Sequence, residues 1–333
     1  MNDDIVEKIE QAGLIGRGGA GYPTAKKWRD IKSVQSDKKY VICNASEGEI
    51  GLFKDIHILE NHPEEVVHGM ELALDYLETN KAFFNINRNY YERIGPMLRE
   101  VVQHHNYHNH DFQFFIEEPS YIGGEETALL NAIEGKRTEP RQKPPFPSVF
   151  GLFGRPTLIN NVETFFNVAL VDKNEYKGDR FYCISGPVNS PGVYHLPADW
   201  DIAKVLRETG NYPDFEFFVQ LGGSASGLVF NQEQANTQKM VGAGGLEIYP
   251  KDTAPKDLLL RWLYFYQRES CGKCAPCRMG TYALKEIIEE STEIPWDEIF
   301  KVLEVTKETS FCGLGKSVNE PIESYYSNVI KEQ

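Results

Sequence analysis

Four cysteines in the last fifth of the chain form the pattern with the clearest chemical meaning. Cys271, Cys274 and Cys277 give the spacing C-x2-C-x2-C, and Cys312 follows much later. Three thiolates on a tight turn can bind three corners of an iron–sulfur cubane, which leaves the fourth corner to a distant ligand. Four thiolates can also hold zinc, although zinc sites usually come as two separated pairs. The spacing therefore favours a [4Fe–4S] cluster over zinc or over four free, buried cysteines.

A second candidate site is the glycine-rich segment 16–21, which contains the string G-x-G-x-x-G. The dinucleotide-binding form of this string follows a strand and opens a helix. Here the preceding residues look helical and Pro23 follows. Closely spaced glycines can nevertheless lie flat against a phosphate or a planar ligand, and Arg17, Lys26 and Lys27 could supply positive charge. A flexible surface turn is the alternative.

Two acidic pairs, Glu47 with Glu49 and Glu125 with Glu126, each follow a predicted strand. An α/β sheet normally binds its ligand at that edge, and carboxylates there would suit the hydroxyl groups of a ribityl chain or a ribose. The alternative is that they are solvated helix N-termini, where the helix dipole favours glutamate. The histidine-rich run 104–110 is interpreted as an exposed polar helix end rather than a metal site.

Composition limits the class of protein. The chain has 333 residues and a net charge of −14, from 35 Lys and Arg against 49 Asp and Glu. This acidic balance argues against nucleic acid as a partner. No apolar stretch approaches the roughly 18 residues that span a bilayer, and the acidic N-terminus lacks the apolar core of a signal peptide. We therefore expect a cytoplasmic protein, attached at most peripherally to a membrane complex. In that compartment clustered cysteines indicate metal or redox chemistry rather than disulfides.

The elements that must position these residues change in character along the chain. Strands alternate with helices in the first half, which predicts an α/β domain over residues 1–175. Short strands, glycines and turns predict a small α+β domain over 176–251, and a helical region with the cysteines follows over 252–333. The individual predictions are strands at 40–43 and 112–116, helices at 1–12, 66–77, 91–104, 128–133, 160–171 and 202–209, and a proline-rich loop at 136–156.

Several strings together resemble one family, the NADH-binding flavoprotein subunit of respiratory complex I. The same family includes the diaphorase subunits of NAD-linked hydrogenases, formate dehydrogenases and electron-bifurcating complexes. The resemblance implies a Rossmann-like FMN domain, a ubiquitin-like β-grasp (SLBB) domain and a C-terminal helical bundle with one [4Fe–4S] cluster. The matching strings are GRGGAGYPTAKK (16–27), CNASEGEIGLFK (43–54), YIGGEETALL (121–130), KPPFP (143–147), GLFGRPTLINNVET (151–164), ESCGKCAPCRMG (269–280) and FCGLG (311–315).

The resemblance also implies roles for individual residues. No protein side chain needs to act as a catalytic acid, base or nucleophile, because the hydride passes to the flavin. The residues implied for FMN are Gly16, Arg17, Gly18, Lys26 or Lys27, Asn44, Ser46, Glu47, Tyr121, Gly124, Glu125, Asn160 and Asn161. Those implied for NADH are Tyr22, Glu49, Glu126, Lys143 and Phe146. The implied cluster ligands are Cys271, Cys274, Cys277 and Cys312.

The sequence departs from the family pattern at several of these positions. The family string Asn-Ala-Asp-Glu-Gly-Glu-Pro-Gly becomes Asn-Ala-Ser-Glu-Gly-Glu-Ile-Gly, so Ser46 removes an acceptor near the flavin and Ile50 loosens the loop. Asp30 stands where an aromatic residue would stack on adenine, and Gly123 stands where the family often has cysteine. The FMN and cluster motifs are therefore better kept than the nucleotide pocket, and the choice among NADH, NADPH and neither stays open.

The resemblance implies an NADH:acceptor oxidoreductase subunit that moves electrons between NAD(H) and iron–sulfur clusters through FMN. Four clustered cysteines supply one cluster, so onward transfer requires a partner with its own clusters. Such partners would be a thioredoxin-like [2Fe–2S] subunit and a hydrogenase, formate dehydrogenase or other catalytic subunit. The hypothesis is a soluble multi-subunit oxidoreductase, with electron bifurcation as one variant. The alternative is a flavin and iron–sulfur relay subunit that does not itself bind NADH.

Overall fold

The computed structural model describes residues 4–105 and 110–331, without the side chain of residue 105. The chain divides into two compact units. The first comprises Met1–Gly48 and Phe53–Phe181, and the second comprises Glu49–Leu52 and Tyr182–Gln333. The predicted boundaries near residues 175 and 252 stay a prediction. Among the described residues, no helix is long and apolar enough to cross a membrane.

The first unit is built on a parallel sheet, as the alternation of strands and helices predicts. Within the described residues its four strands have the order β3-β2-β1-β4. Parallel neighbours require crossover connections, which the helices supply. The strands are β1 (Tyr40–Ala45), β2 (Lys81–Asn87), β3 (Asp111–Glu117) and β4 (Thr157–Asn161). The helices are α1 (Asp4–Gln11), α2 (Thr24–Ser33), α3 (Lys54–Asn61), α4 (Pro63–Leu77), α5 (Arg88–His105), α6 (Glu126–Ile133) and α7 (Val162–Asp172).

The amphipathic pattern of residues 66–77 correctly predicted the central helix of this unit. Helix α4 begins with Pro63, whose fixed φ suits the first helical position. Its apolar residues at three- and four-residue spacing, among them Val66, Met70 and Leu74, are fully buried. The helix packs on α7 and ends where Glu78 adopts a left-handed conformation.

The structure corrects three predictions. The helix predicted from residue 160 begins only at Val162, because Asn160 and Asn161 end strand β4. Its apolar run is too short for periodicity to distinguish a buried strand from a helix. Strand β1 likewise continues through Asn44, predicted as loop, because Asn44 pairs with residues of both β2 and β4. His110 is buried beside Asp75, unlike the exposed His104, whereas residues 106–109 lie outside the described residues.

The second unit combines a mixed sheet with a series of helices. The strand order is β6-β5-β9-β7-β8, with β5 parallel to β9 and β7 antiparallel to both β8 and β9. The strands are β5 (Asp179–Ser185), β6 (Gly192–Pro197), β7 (Phe217–Gly222), β8 (Leu228–Asn231) and β9 (Gly245–Pro250). The helices are α8 (Ile202–Glu208), α9 (Pro255–Glu269), α10 (Ala275–Glu290), α11 (Trp296–Thr309), α12 (Gly313–Lys316) and α13 (Asn319–Tyr325).

Helix α9 packs against this sheet through polar as well as apolar contacts. Trp262 is fully buried and its indole nitrogen donates a hydrogen bond to Gln220 of β7 at 3.1 Å. Arg261 forms a two-pronged pair with Glu247 of β9, at 2.8 and 3.0 Å. Directional contacts of this kind fix the register of a helix on a sheet better than apolar packing alone. Since the first cysteine follows α9 after one residue, they also fix where the cysteine turn begins.

Candidate functional site

The carboxyl edge of the parallel sheet contains a topological switch point beside β1. Strand β1 lies between β2 and β4, so the connections that leave it and reach its two neighbours run in opposite directions. Open α/β sheets bind ligands in the crevice outside such a point. The sheet register places Asn44 of β1 opposite Asn161 of β4 there. Two of the residues predicted to hold the flavin are thus adjacent at this edge.

The side chains of these asparagines fix the loops around the edge. The Asn44 amide nitrogen donates to the Gly124 carbonyl at 2.9 Å, and its oxygen accepts from the Ser46 backbone at 3.2 Å. The Asn161 oxygen caps α7 by accepting from the Glu163 backbone at 3.0 Å. These amides therefore support the site, rather than presenting all their polar atoms to a ligand.

Close backbone contacts join the loops that follow β1 and β3. A Cβ atom on Gly48 would lie 2.5 Å from the Ser120 carbonyl oxygen, and one on Gly124 would lie 2.8 Å from the Ser46 carbonyl. Only glycine permits such an approach. A Cβ on Gly18 would lie 3.2 Å from the Cβ of Asn161, so the glycine-rich loop reaches the switch point as well.

The three basic residues predicted to meet a phosphate have different surroundings. Lys27 is largely buried at the sheet edge, where its ammonium donates to the Ile159 carbonyl at 2.7 Å. Burial lowers its pKa, and the Glu126 carboxylate 3.7 Å away opposes this. Lys26 is exposed beside the ring of Tyr22. The buried Arg17 donates to the Tyr176 hydroxyl at 3.0 Å. Lys27 is therefore the cation best placed to meet an anionic ligand at this edge.

The acidic pair after β3 is joined to Lys143. Glu125 is the N-cap of α6, since one of its oxygens accepts from the backbone of Thr127 and Ala128 at 2.9 Å. Its other oxygen accepts from the Lys143 ammonium at 2.8 Å, and Glu126 accepts from the same ammonium at 3.0 Å. Three predicted ligands therefore form one ion cluster, in which the lysine pKa is raised by hydrogen bonding to Glu125 against the effect of burial.

Aromatic residues predicted for NADH are exposed on this unit. Phe146 is 54% exposed, and Tyr22 is 42% exposed with its hydroxyl 3.2 Å from Asp30. Asp30 thus supports Tyr22 by a hydrogen bond, where the family pattern would place a second ring. Tyr121 is half-buried immediately before a single 3-10 turn, Ile122–Gly124.

A buried charge cluster under the switch point escaped the sequence analysis. Lys54 is 1% exposed, and its ammonium lies 2.5 Å from Asp55 and 3.4 Å from Glu163. The Lys54 ammonium also donates to Asn161 at 3.0 Å, while the Asn161 amide donates to Asp55 at 2.6 Å. The cluster thereby holds the Asn161 side chain at both ends. Lys54 and Glu163 lie within the family strings quoted above, and this was the available signal.

Glu47 adds a protonated acid to this cluster. One of its oxygens accepts from the Tyr90 hydroxyl at 2.8 Å and from the Asp55 backbone at 3.1 Å. The other oxygen is buried and has no hydrogen-bond partner among the described residues. Burial, followed by repulsion from Asp55, raises the pKa of Glu47 to about 8, although Lys54 opposes the shift. The carboxyl is therefore mainly neutral at pH 7.

This raised pKa makes stability depend on pH. Between about pH 5 and pH 8 the folded chain keeps a proton on Glu47 that the unfolded chain has released. Glu47 therefore makes the free energy of unfolding fall as the pH rises through this window, by up to about 1.4 kcal/mol per pH unit. We expect Glu47→Gln to remove this part of the slope in urea titrations at several pH values. An unchanged slope would contradict the assignment.

In the second unit, Glu49 is held by the loop after β7. Its carboxylate accepts from the backbone nitrogens of Ala225 at 2.9 Å and Ser226 at 3.2 Å, and from the Ser226 hydroxyl at 2.6 Å. Burial raises its pKa, and the Ser226 hydroxyl is the largest opposing influence. Sequence reasoning did not identify Ser226, because nothing in a local string links residues so far apart.

The same unit gathers the four clustered cysteines. Cys274 is the N-cap of α10, Cys277 lies buried in its first turn, and Cys312 is the N-cap of α12. Burial raises the pKa of Cys277 to about 11, and the thiols of Cys274, Cys312 and Cys271 contribute to the rise. Such mutual influence requires the four thiols to lie together. Helix N-termini favour thiolates, which are the form that binds metal.

The surroundings of the cysteines suit a cluster of several iron atoms. The Ser270 hydroxyl lies 3.4 Å from the Cys277 sulfur, and a Cβ on Gly315 would lie 2.9 Å from the Cys277 Cβ. Among the described residues, no group of three or more histidine, cysteine or acidic side chains is arranged to hold a single metal ion. In a cubane each cysteine binds a different iron atom, so its ligands need not converge on one point.

Comparisons with known proteins agree with both sites. The family model described as the Nuo51 FMN-binding domain matches residues 9–170, and the NADH-ubiquinone oxidoreductase-F iron-sulfur binding region matches residues 257–332. The chain belongs to this family of FMN-binding NADH-quinone oxidoreductase flavoproteins. One relative, an F-type component of the NADH-quinone oxidoreductase of Rhizobium meliloti (strain 1021), is 34% identical, over 84% of this chain and 74% of its own length.

Other members of the flavoprotein family are linked to hydrogenases. The NADP-reducing hydrogenase subunit HndC of Solidesulfovibrio fructosivorans is 31% identical, over 96% of this chain and 73% of its own length. A crystal structure of NAD+-reducing [NiFe]-hydrogenase in the H2-reduced state matches with a TM-score of 0.92 at 29% identity. That match covers 100% of this chain and 62% of the hydrogenase chain, so this flavoprotein spans somewhat less than two thirds of that protein.

Proposed function

We propose that this flavoprotein is the NADH-oxidising subunit of a larger oxidoreductase and transfers electrons through FMN to one [4Fe–4S] cluster. The observation that carries the proposal is that a matched FMN-binding domain and four gathered thiols occur in one chain. Neither site alone would distinguish a flavoprotein from an iron–sulfur protein. Both together describe a subunit that converts a two-electron donor into a source of single electrons.

The residues at the switch point fit FMN. Buried carboxyl oxygens of Glu47 and Glu117 have no hydrogen-bond partner among the described residues, which is the pattern expected where a polar ligand completes the site. Bound FMN would accept a hydride from the nicotinamide and release electrons singly. Lys27 would meet the phosphate end. Asn44 and Asn161 would keep the loops in place, and the close glycine contacts would exclude water.

The finer parts of the proposal concern the second unit. Its sheet with α8 would be the β-grasp domain, and α9–α13 would form the bundle that holds the cluster with Cys271, Cys274, Cys277 and Cys312. Cys277 would need the positive charge of iron, since burial disfavours its thiolate. Electrons would then pass to a partner with its own clusters, such as a thioredoxin-like [2Fe–2S] subunit or a hydrogenase, in a cytoplasmic complex.

An anaerobic titration tests this proposal directly. The purified chain, with flavin, iron and sulfide quantified, is mixed with stoichiometric NADH. We expect about one FMN and four iron atoms per chain, bleaching of the flavin absorbance, and an EPR signal from the reduced cluster. NADPH is the matched control, because a 2′-phosphate is the one difference between the nucleotides. Absence of FMN, or a metal analysis that gives zinc, would refute the proposal.

A relay subunit that receives electrons from another protein is the second candidate. It is favoured by the saturation of Glu49, whose carboxylate already accepts three hydrogen bonds from Ala225 and Ser226. A ribose hydroxyl would have to share or replace one of these. Bound FMN that neither NADH nor NADPH bleaches, but that a chemical reductant does, would support the relay.

A further inference from the structure

Glu117 ends β3 at the carboxyl edge of the first sheet, and no string in the sequence points to it. The sheet register places Glu117 opposite Asn87 of β2. Ala45, the last residue of β1, pairs with Ile86, so Ser46 follows at the same level as Asn87 and Glu117. The carboxylate of Glu117 therefore lies in the row where the strands give way to the ligand-binding loops.

The surroundings of Glu117 leave half of its carboxylate without a partner. The side chain is only 7% exposed. The Ser46 hydroxyl donates to Oε1. Oε2 is buried and accepts no hydrogen bond from the described residues, and the nearby Asn85 amide helps to lower the pKa without forming one. Because an unsatisfied buried carboxylate oxygen is costly, Oε2 marks a position where a donor from outside the chain belongs.

Two departures from the family string converge on this carboxylate. Ser46 replaces an aspartate, and its hydroxyl bonds to Glu117 where an aspartate would bring a second negative charge. Gly123 stands where cysteine is frequent, and a Cβ there would lie 2.5 Å from Oε1 and 2.8 Å from Oε2 of Glu117. Both changes therefore accommodate a carboxylate that comes from β3.

We propose that Glu117 is a cofactor-binding residue whose Oε2 accepts a hydrogen bond from FMN, from its ring N3–H or a ribityl hydroxyl. Glu117 supplies from β3 the acceptor that Ser46 does not carry, and the Ser46 hydroxyl positions it through Oε1. The proposal rests on the proposed function, since it requires that the chain bind FMN. It deepens that function by naming which residue replaces a missing ligand.

The test is FMN affinity of the intact chain. Flavin is removed and FMN is added back, with binding followed by quenching of its fluorescence. We expect Glu117→Ala to raise the Kd at least about tenfold, as for loss of a hydrogen bond to a charged group. Glu117→Gln keeps an acceptor oxygen and should raise the Kd less, while removing the charge raises the midpoint potential of the flavin. The matched control is Glu118→Ala, at the adjacent residue with 74% exposure, which should leave the Kd unchanged.

A rescue variant separates ligand binding from loop packing. Ser46→Asp alone should weaken FMN binding through repulsion from Glu117, whereas Ser46→Asp combined with Glu117→Ala should return the Kd to within about threefold of the unmodified chain. A normal Kd for Glu117→Ala, or no rescue by Ser46→Asp, would overturn the proposal. An unmodified chain that binds no FMN would refute the proposed function as well. If Glu117→Ala does not fold, the same comparison is made with Glu117→Gln.

Discussion

Replacing Cys277 with serine is expected to remove the iron–sulfur cluster and stop electron transfer beyond the flavin. Cys277 is 4% exposed in the first turn of α10, so no nearby solvent ligand can take its place easily. Loss of a group that merely supports a metal ligand costs about 10–100-fold, and loss of the ligand itself should slow reduction of a one-electron acceptor by more than about 100-fold. Iron and sulfide content and the acceptor assay measure this.

The flavin site provides an internal control for the Cys277→Ser variant. FMN content and flavin bleaching by NADH should stay normal, because the FMN-binding match and the cysteines occupy separate stretches of the chain. The matched variant is Cys183→Ala, at a fully buried cysteine in β5 outside the cluster pattern. It should keep its iron. A Cys277→Ser chain that retains iron, sulfide and acceptor activity would show that the four cysteines do not ligate a cluster.

The cysteine pattern was predictable because its chemistry is local. Three ligands within a single turn must meet whatever the rest of the chain does, and the structure places Cys274 and Cys277 at the start of one helix. Strand β4 was missed for the opposite reason. Its five residues become a strand only by pairing with β1, and the asparagines that end it were counted as the beginning of α7.

The supporting contacts of the site were beyond the reach of local patterns. Glu163 lies more than one hundred residues after Lys54, yet their charged groups are 3.4 Å apart. Glu117 and Ser46 are likewise joined across β2. Sequence strings identify residues that touch a cofactor, whereas the residues that hold those ligands in place are found only once the strands are aligned.

Replacing Lys54 with methionine should be the most destabilising single change in the first unit. The substitution keeps a long unbranched side chain but removes the only positive charge that contacts both Asp55 and Glu163 among the described residues. Breaking a buried ion pair by removing one partner costs about 3–5 kcal/mol, because a buried charge is left uncompensated. Chemical denaturation measures the loss. FMN affinity should fall too, since Lys54 and Asp55 hold Asn161.

Two further variants decide whether buried charge is the cause. Lys81→Met removes a lysine whose ion pair with Asp111 is about two-fifths exposed, and it should cost no more than about 1 kcal/mol. Adding Asp55→Asn to Lys54→Met should recover part of the lost stability, because removing both partners of a buried pair costs far less than removing one. If Lys54→Met costs as little as Lys81→Met, or if Asp55→Asn makes the double variant still less stable, the cluster is not held together by charge. The opposite result would establish that the folding of the flavin edge depends on a lysine that touches no ligand.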